Sequence, residues 1–200
     1  MTPDQYVESI LSKYQVARGP NSQAERLAAT VAGPLRTWAN EYLDALEYAG
    51  SYAKETGVHG VSDVDLFLSL KSHTPGSLKD IYDNLNRFAA EQGWLPRQQN
   101  VSIGITVNAT KADLVPGRIQ AGYQNYHSLY VRKKGSWRQT NVSKHVDIVR
   151  NSGRLREIRA VKIWRLLHGL DFPSLHVELF TIQALSGRSF YSLSETSCIP

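Results

Sequence analysis

Residues 63–70, Asp-Val-Asp-Leu-Phe-Leu-Ser-Leu, constrain this chain more than any other stretch. So much Val, Leu and Phe in a short run reads as a strand inside a sheet. Yet the run opens with two aspartates. Strand side chains alternate between faces, so Asp63 and Asp65 project from one side, with Phe67 next, while Val64, Leu66 and Leu68 fill the other. Two acids side by side repel each other unless cations sit between them. Hard oxygen ligands of this kind suit Mg²⁺, which takes few carboxylates and completes its shell with substrate phosphates. Displacement at phosphorus by two metals needs such a cluster with a third carboxylate nearby. On its own, Asp-x-Asp reads as a strand end with solvated aspartates. The Gly50-Ser51 pair just upstream turns the reading towards phosphate chemistry: free N–H groups at a helix start attract phosphate, and glycine lets the backbone come close.

The set Gly50, Ser51, Lys54 and Thr56, followed by Asp63 and Asp65, resembles the nucleotidyltransferase superfamily of DNA polymerase beta. The resemblance implies that the Gly-Ser backbone and hydroxyl hold a triphosphate and that the aspartates hold the metals. Glu55 stands where many members of that family carry glycine.

Helical spacing marks residues 3–17 (Tyr6, Ile10, Leu11, Tyr14) and about 22–48, the second with an interruption near Gly33-Pro34 and a stripe of Leu27, Val31, Leu35, Trp38, Tyr42 and Leu46. A further amphipathic helix runs from about 78 and ends at Gly93. Residues 101–108 alternate as a strand, and 111–115 form its return, ending at the turn dipeptide Pro116-Gly117. Residues 127–137 suggest another hairpin. From about 140 the chain turns helical, with helices expected near 141–152, 155–169 and 174–185. Asp113 lies on the return strand and is the expected third metal ligand; the plainer alternative is a strand-edge aspartate opposite Lys111. The resemblance adds that such an acid approaches the attacking hydroxyl and helps to deprotonate it.

Lys162 sits in an apolar stripe, four residues from both Ile158 and Leu166. A lysine there either snorkels to water or meets an anion. With Arg159 and Arg165 three residues to either side, the sharper alternative is a cationic ridge facing a triphosphate. Ser174, in the first turn of the next helix, caps it or donates to phosphate.

Lys and Arg number 23 against 18 acids, a net charge of +5 with pI near 9.3, which suits phosphate-rich ligands without requiring nucleic acid. The 200 residues allow one domain or two small lobes. Cys198 is the single cysteine, which excludes a disulfide framework and a cysteine metal site and fits a reducing cytoplasm. The six histidines lack helical zinc spacing. The first residues show no basic-then-apolar leader. No apolar run nears the roughly 20 residues a membrane-spanning helix needs.

Four further segments, at 111–117, 136–149, 157–165 and 171–179, narrow the resemblance to the bacterial CD-NTases, relatives of cyclic GMP–AMP synthase and oligoadenylate synthase. That resemblance implies triphosphate contacts from Lys162 and Ser174. Leu175 replaces an aromatic residue that often stacks on the base. The expected fold is α/β: a polymerase-beta-type core over 1–138 with a mixed or antiparallel sheet flanked by helices, and a shortened helical lobe over 139–200. Family members usually continue with more helices, so the apolar faces of 155–169 and 174–185 are expected to be covered by a second copy or another protein. The implied activity is nucleotidyl transfer from ATP or another NTP with two Mg²⁺ ions, Mn²⁺ being the alternative. Pyrophosphate leaves, and the product is a cyclic or linear oligonucleotide second messenger of antiphage type. Two other readings stand beside it: transfer to a tRNA end, another nucleic-acid end or a small acceptor such as an antibiotic, and a shortened nucleotide-binding protein without turnover.

Overall fold

The computed structural model describes residues 1–60 and 63–187, except the Gln124 side chain. Cys198 and the polar C-terminal residues lie outside the described part. The elements are α1 (Pro3–Lys13), α2 (Gln23–Ala39), β1 (Leu43–Tyr48), α3 (Gly50–Ala53), β2 (Val64–Leu70), α4 (Leu78–Glu91), β3 (Arg97–Gln98), β4 (Ile103–Val107), β5 (Thr110–Gln120), β6 (Tyr123–Val131), β7 (Ser136–Thr140), α5 (Val142–Arg150), α6 (Leu155–Leu167) and α7 (Ser174–Ala184). This is an α/β fold whose seven strands, among the described residues, form one mixed sheet. The order is β1-β2-β5-β4-β3, with β6 pairing β5 and β7. Of these strands, only β2 and β5 run parallel; the other pairs are antiparallel.

Two sequence expectations need correction. The second helix does not reach residue 48. It passes through Gly33-Pro34 and stops at Ala39, where Asn40 adopts φ +48. A short 3-10 turn (Asn40–Tyr42) then leads into β1, which pairs with β2. Positive φ is uncommon outside glycine and is enriched at Asn, so Asn40 turns the chain here without a glycine. Nor does β5 stop at Pro116-Gly117. Pro116 lies opposite Leu68 and Gly117 opposite Ser69, both inside the β2–β5 ladder. A Cβ on Gly117 would run into the Phe67 ring, so this glycine serves packing rather than a turn.

The chain forms two compact units, each discontinuous in sequence. The first comprises the described residues of Met1–Ala17, Ser51–Ser62 and His145–Pro200; the second comprises Arg18–Gly50 and Asp63–Lys144. In the first unit, Leu11, Val58 and Ile163 form a buried core with Val7, Ile10, Tyr14, Ala160 and Leu166 around it. Helix α1 therefore shares its core with α6, although the two are far apart in sequence. In the second unit, Leu70 gathers Ala39 and Trp38 of α2 with Ile81 of α4. The face of β2 that carries Leu70 is thus the one those helices cover, and alternation puts Asp65, Phe67 and Ser69 on the other. No helix of the described residues is long and apolar enough to cross a membrane.

Candidate active site

The acids of the second unit are placed by strand register. Asp65 on β2 lies opposite Asp113 on β5, Asp113 lies opposite Gly104 on β4, and Gly104 lies opposite Arg97 on β3. A transverse row therefore reads carboxylate, carboxylate, no side chain, guanidinium. A Cβ on Gly104 would come within 2.8 Å of Gln99 Nε2 and 3.3 Å of Asp113 Oδ1, so glycine leaves the space that Gln99 uses. Gln99 Nε2 donates to Asp113 Oδ1 at 2.6 Å, and Ser102 Oγ donates to Gln99 Oε1 at 3.3 Å.

Burial pushes the Asp113 carboxyl above the ordinary aspartate range, and the negative charge of Asp63 pushes it further. Arg97 and the hydrogen bonds from Gln99 and Ser102 oppose both. Asp63 precedes β2 by one residue and is half-buried, as are Asp65 and Asp113.

Gly50 adopts φ +56, and a Cβ there would overlap the Asp65 carboxylate outright. The Ala49 N–H donates to the Asp65 carbonyl at 2.8 Å, holding this backbone against the start of β2. Glycine is required at position 50 on both counts. Among the described residues, no group of three or more His, Cys, Asp or Glu side chains is gathered closely enough to hold a metal ion by itself. The donor chemistry nonetheless suits a hard divalent cation: the ligands are oxygens, and the Asp63 charge felt at Asp113 is a surplus such an ion relieves.

The remaining candidates lie in the first unit, around a residue the sequence reading missed. Glu178 on α7 is fully buried. Its Oε1 accepts from Thr56 Oγ1 at 2.5 Å and from Lys162 Nζ at 3.1 Å, while its Oε2 accepts from Lys54 Nζ. Lys162 Nζ also reaches Thr56 Oγ1 at 3.3 Å. Burial alone would raise the Glu178 carboxyl, but the Lys162 and Lys54 ammoniums hold it below the ordinary glutamate value. Lys162 is pulled below the ordinary lysine value by burial, with Glu178 offsetting part of the effect and Lys54 and Arg165 adding to it.

Lys162 therefore does not snorkel. It is only 3% exposed. The expected cationic ridge is also divided among separate partners: Arg159 donates to the Leu11 carbonyl at 2.9 Å, and Arg165 donates to the Phe172 carbonyl. The Ser174 hydroxyl lies 3.5 Å from both terminal nitrogens of Arg165. Ser51 is the carbonyl partner of the Thr56 N–H at 3.0 Å. Glu55 adopts φ +62, a backbone state that favours glycine, and its carboxylate pairs with Arg150 at 2.8 Å.

Asp65, Asp113 and Gly50 are thus neighbours within the second unit, with Asp63 close enough for its charge to act on Asp113; within the first unit, Lys54, Thr56 and Lys162 gather on Glu178. Gln99, Gly104 and Glu178 went unrecognised in the sequence. Glu178 carried a signal, being the one acid in a helix apolar on most sides. Gln99 carried none, because nothing in a loop sequence says which carboxylate an amide will meet.

No protein-family model matches the chain. It is 23% identical over 182 residues to the cyclic AMP-AMP-AMP synthase of Escherichia coli (strain MS 115-1), an alignment covering 83% of this chain and 56% of that protein. The chain therefore spans little more than half the length of that relative. Among solved structures, it resembles E. coli MS115-1 CdnC, seen with ATP and in a HORMA-deltaN complex, with TM-score 0.72, 20% identity and coverage of 96% of this chain and 68% of that one. It also resembles the Rhodothermus marinus CdnE c-UMP-AMP synthase with Apcpp and Upnpp, with TM-score 0.73, 14% identity and coverage of 98% and 80%. The fold is that of these CD-NTase structures, and the sequence is similar to one of their synthases.

Proposed function

We propose that this chain carries out nucleotidyl transfer from ATP or another NTP, releasing pyrophosphate and building a cyclic or linear oligonucleotide second messenger, in the cytoplasm and in antiviral signalling. The observation that carries the reading is the register pairing of Asp65 with Asp113, with Gly50 packed against Asp65. Similarity to a cyclic oligonucleotide synthase supports the product class.

Asp63, Asp65 and Asp113 would hold two Mg²⁺ ions, or Mn²⁺, which supply the positive charge that phosphoryl transfer needs. Asp113 takes the proton of the attacking ribose hydroxyl. Gly50 and Ser51 bind phosphate through backbone N–H groups and the serine hydroxyl. Ser174, with Arg165 at its hydroxyl, adds a phosphate contact. Lys54, Thr56 and Lys162 support that phosphate site. Trp164, Leu167, Phe172 and Phe180 are each more than half exposed, and a second copy or another protein covers them in the working assembly.

The test is to incubate the purified protein with Mg²⁺ or Mn²⁺ and α-labelled nucleotides singly and in pairs, following pyrophosphate and separating the products. Phosphatase-resistant oligonucleotide that disappears in Asp113→Asn supports the reading. Absence of pyrophosphate release under every combination sinks it.

A further inference from the structure

Lysines placed near a phosphate site are ordinarily read as phosphate ligands, and that reading requires an ammonium with a free direction. In Lys54 and Lys162 the ammonium is instead buried against a carboxylate. They are 6% and 3% exposed, and each places its ammonium on a different oxygen of the same buried carboxylate. Thr56, 0% exposed, adds its hydroxyl to that carboxylate, and its own N–H returns to the Ser51 carbonyl. A continuous path of hydrogen bonds therefore runs from α7 through Glu178 and Thr56 to Ser51. All of it lies within one compact unit.

We infer that Glu178 is a positioning residue: it anchors the segment behind Ser51 through Lys54 and Thr56 and ties it to α6 through Lys162, so that both lysines act on phosphate binding through Glu178 rather than by touching phosphate. Two cations on one anion leave the cluster one positive charge in excess, and a buried charge is tolerated only while its partners stay in place. Helix α7 commits its single acid to this task, at a position sealed from solvent. The consequence for phosphate binding rests on the function proposed above; the anchoring itself does not.

The experiment compares Glu178→Gln, Lys162→Met, the double variant and Thr56→Val in the full chain. The first readout, without nucleotide, is amide hydrogen exchange across residues 51–58. The second is KM for ATP and kcat for pyrophosphate release with Mg²⁺. Glu178→Gln should speed exchange at the Thr56 amide about tenfold or more and raise KM by about tenfold, with kcat changed less than about threefold. The double variant restores the charge count of the wild type, so its KM should lie below that of Glu178→Gln alone. Direct phosphate contact by Lys162 predicts the opposite, a double variant worse than either single, and that result overturns the inference.

Should Glu178→Gln fail to fold, Thr56→Val removes one strand of the anchor and leaves both lysine pairs; unchanged exchange and unchanged KM in that variant also overturn it. A wild-type protein that turns over no nucleotide refutes the proposed function, while the exchange readout still decides whether Glu178 anchors the segment.

Discussion

Asp65 and Asp113 face each other across the one parallel strand pair among the described strands. Parallel register fixes both backbone positions, so the pairing depends on the whole β2–β5 ladder rather than on a loop. Asp65→Asn and Asp113→Asn should each lower pyrophosphate release by about two to three orders of magnitude, the scale for removing one electrostatic contact to a transferring group. Unchanged urea midpoints in the same proteins would place the loss in chemistry rather than folding.

Gly50→Ala adds a methyl group where the Asp65 carboxylate already lies and forces a non-glycine residue to φ +56. The backbone strain alone costs about 1–3 kcal/mol. The expected outcome is a lower denaturation midpoint together with weaker Mg²⁺ binding by titration, because the displaced group is a carboxylate and not a distant side chain.

Gln99→Leu removes the donor on Asp113 Oδ1. A hydrogen bond to the ionised form favours that form, so its loss raises the Asp113 value further above the ordinary aspartate range. The acid limb of the pH–rate profile should move to higher pH in this variant, while the alkaline side stays in place. A limb that does not move would show that Asp113 ionisation does not limit the rate.

His127 gives stability its own pH dependence. The Ser69 hydroxyl donates to Asp44 Oδ2 at 2.9 Å, so His127 Nε2, 2.8 Å away, must be the donor to Ser69 Oγ. That leaves Nδ1 buried without a partner among the described residues. Burial lowers the His127 value below its ordinary 6.5, with Asp44 pulling the other way. The unfolded imidazole therefore takes up its proton first as pH falls. Stability should be constant well above 6.5, decline as pH drops through that value, and level off below the folded-state value. Denaturant midpoints measured from pH 8 to 5 check this, and His127→Gln, which keeps a donor for Ser69, should flatten the curve.

The acids were legible because alternation along a strand is a short-range rule: Asp63 and Asp65 announce their common side in three residues. Asp113 became legible once its strand was recognised, although β5 runs five residues beyond the expected end at Val115 and its partner is parallel. Strand β1 was hidden because Trp38, Tyr42 and Leu46 continue a helical spacing that Asn40 breaks by its backbone alone. The partner of Lys162 was hidden differently. An apolar stripe shows that a lysine is buried, and only the fold shows which of 18 acids meets it.

The backbone passes from one compact unit to the other after Ala17, Gly50, Ser62 and Lys144. Neither unit is a continuous stretch of coding sequence, so no single truncation delivers one without the other. A chimera that exchanged a unit with a distant homologue would need matched joints at all of those places. Two of the joints adjoin Gly50 and Asp63, which makes exchange by recombination hardest where the proposed chemistry is done.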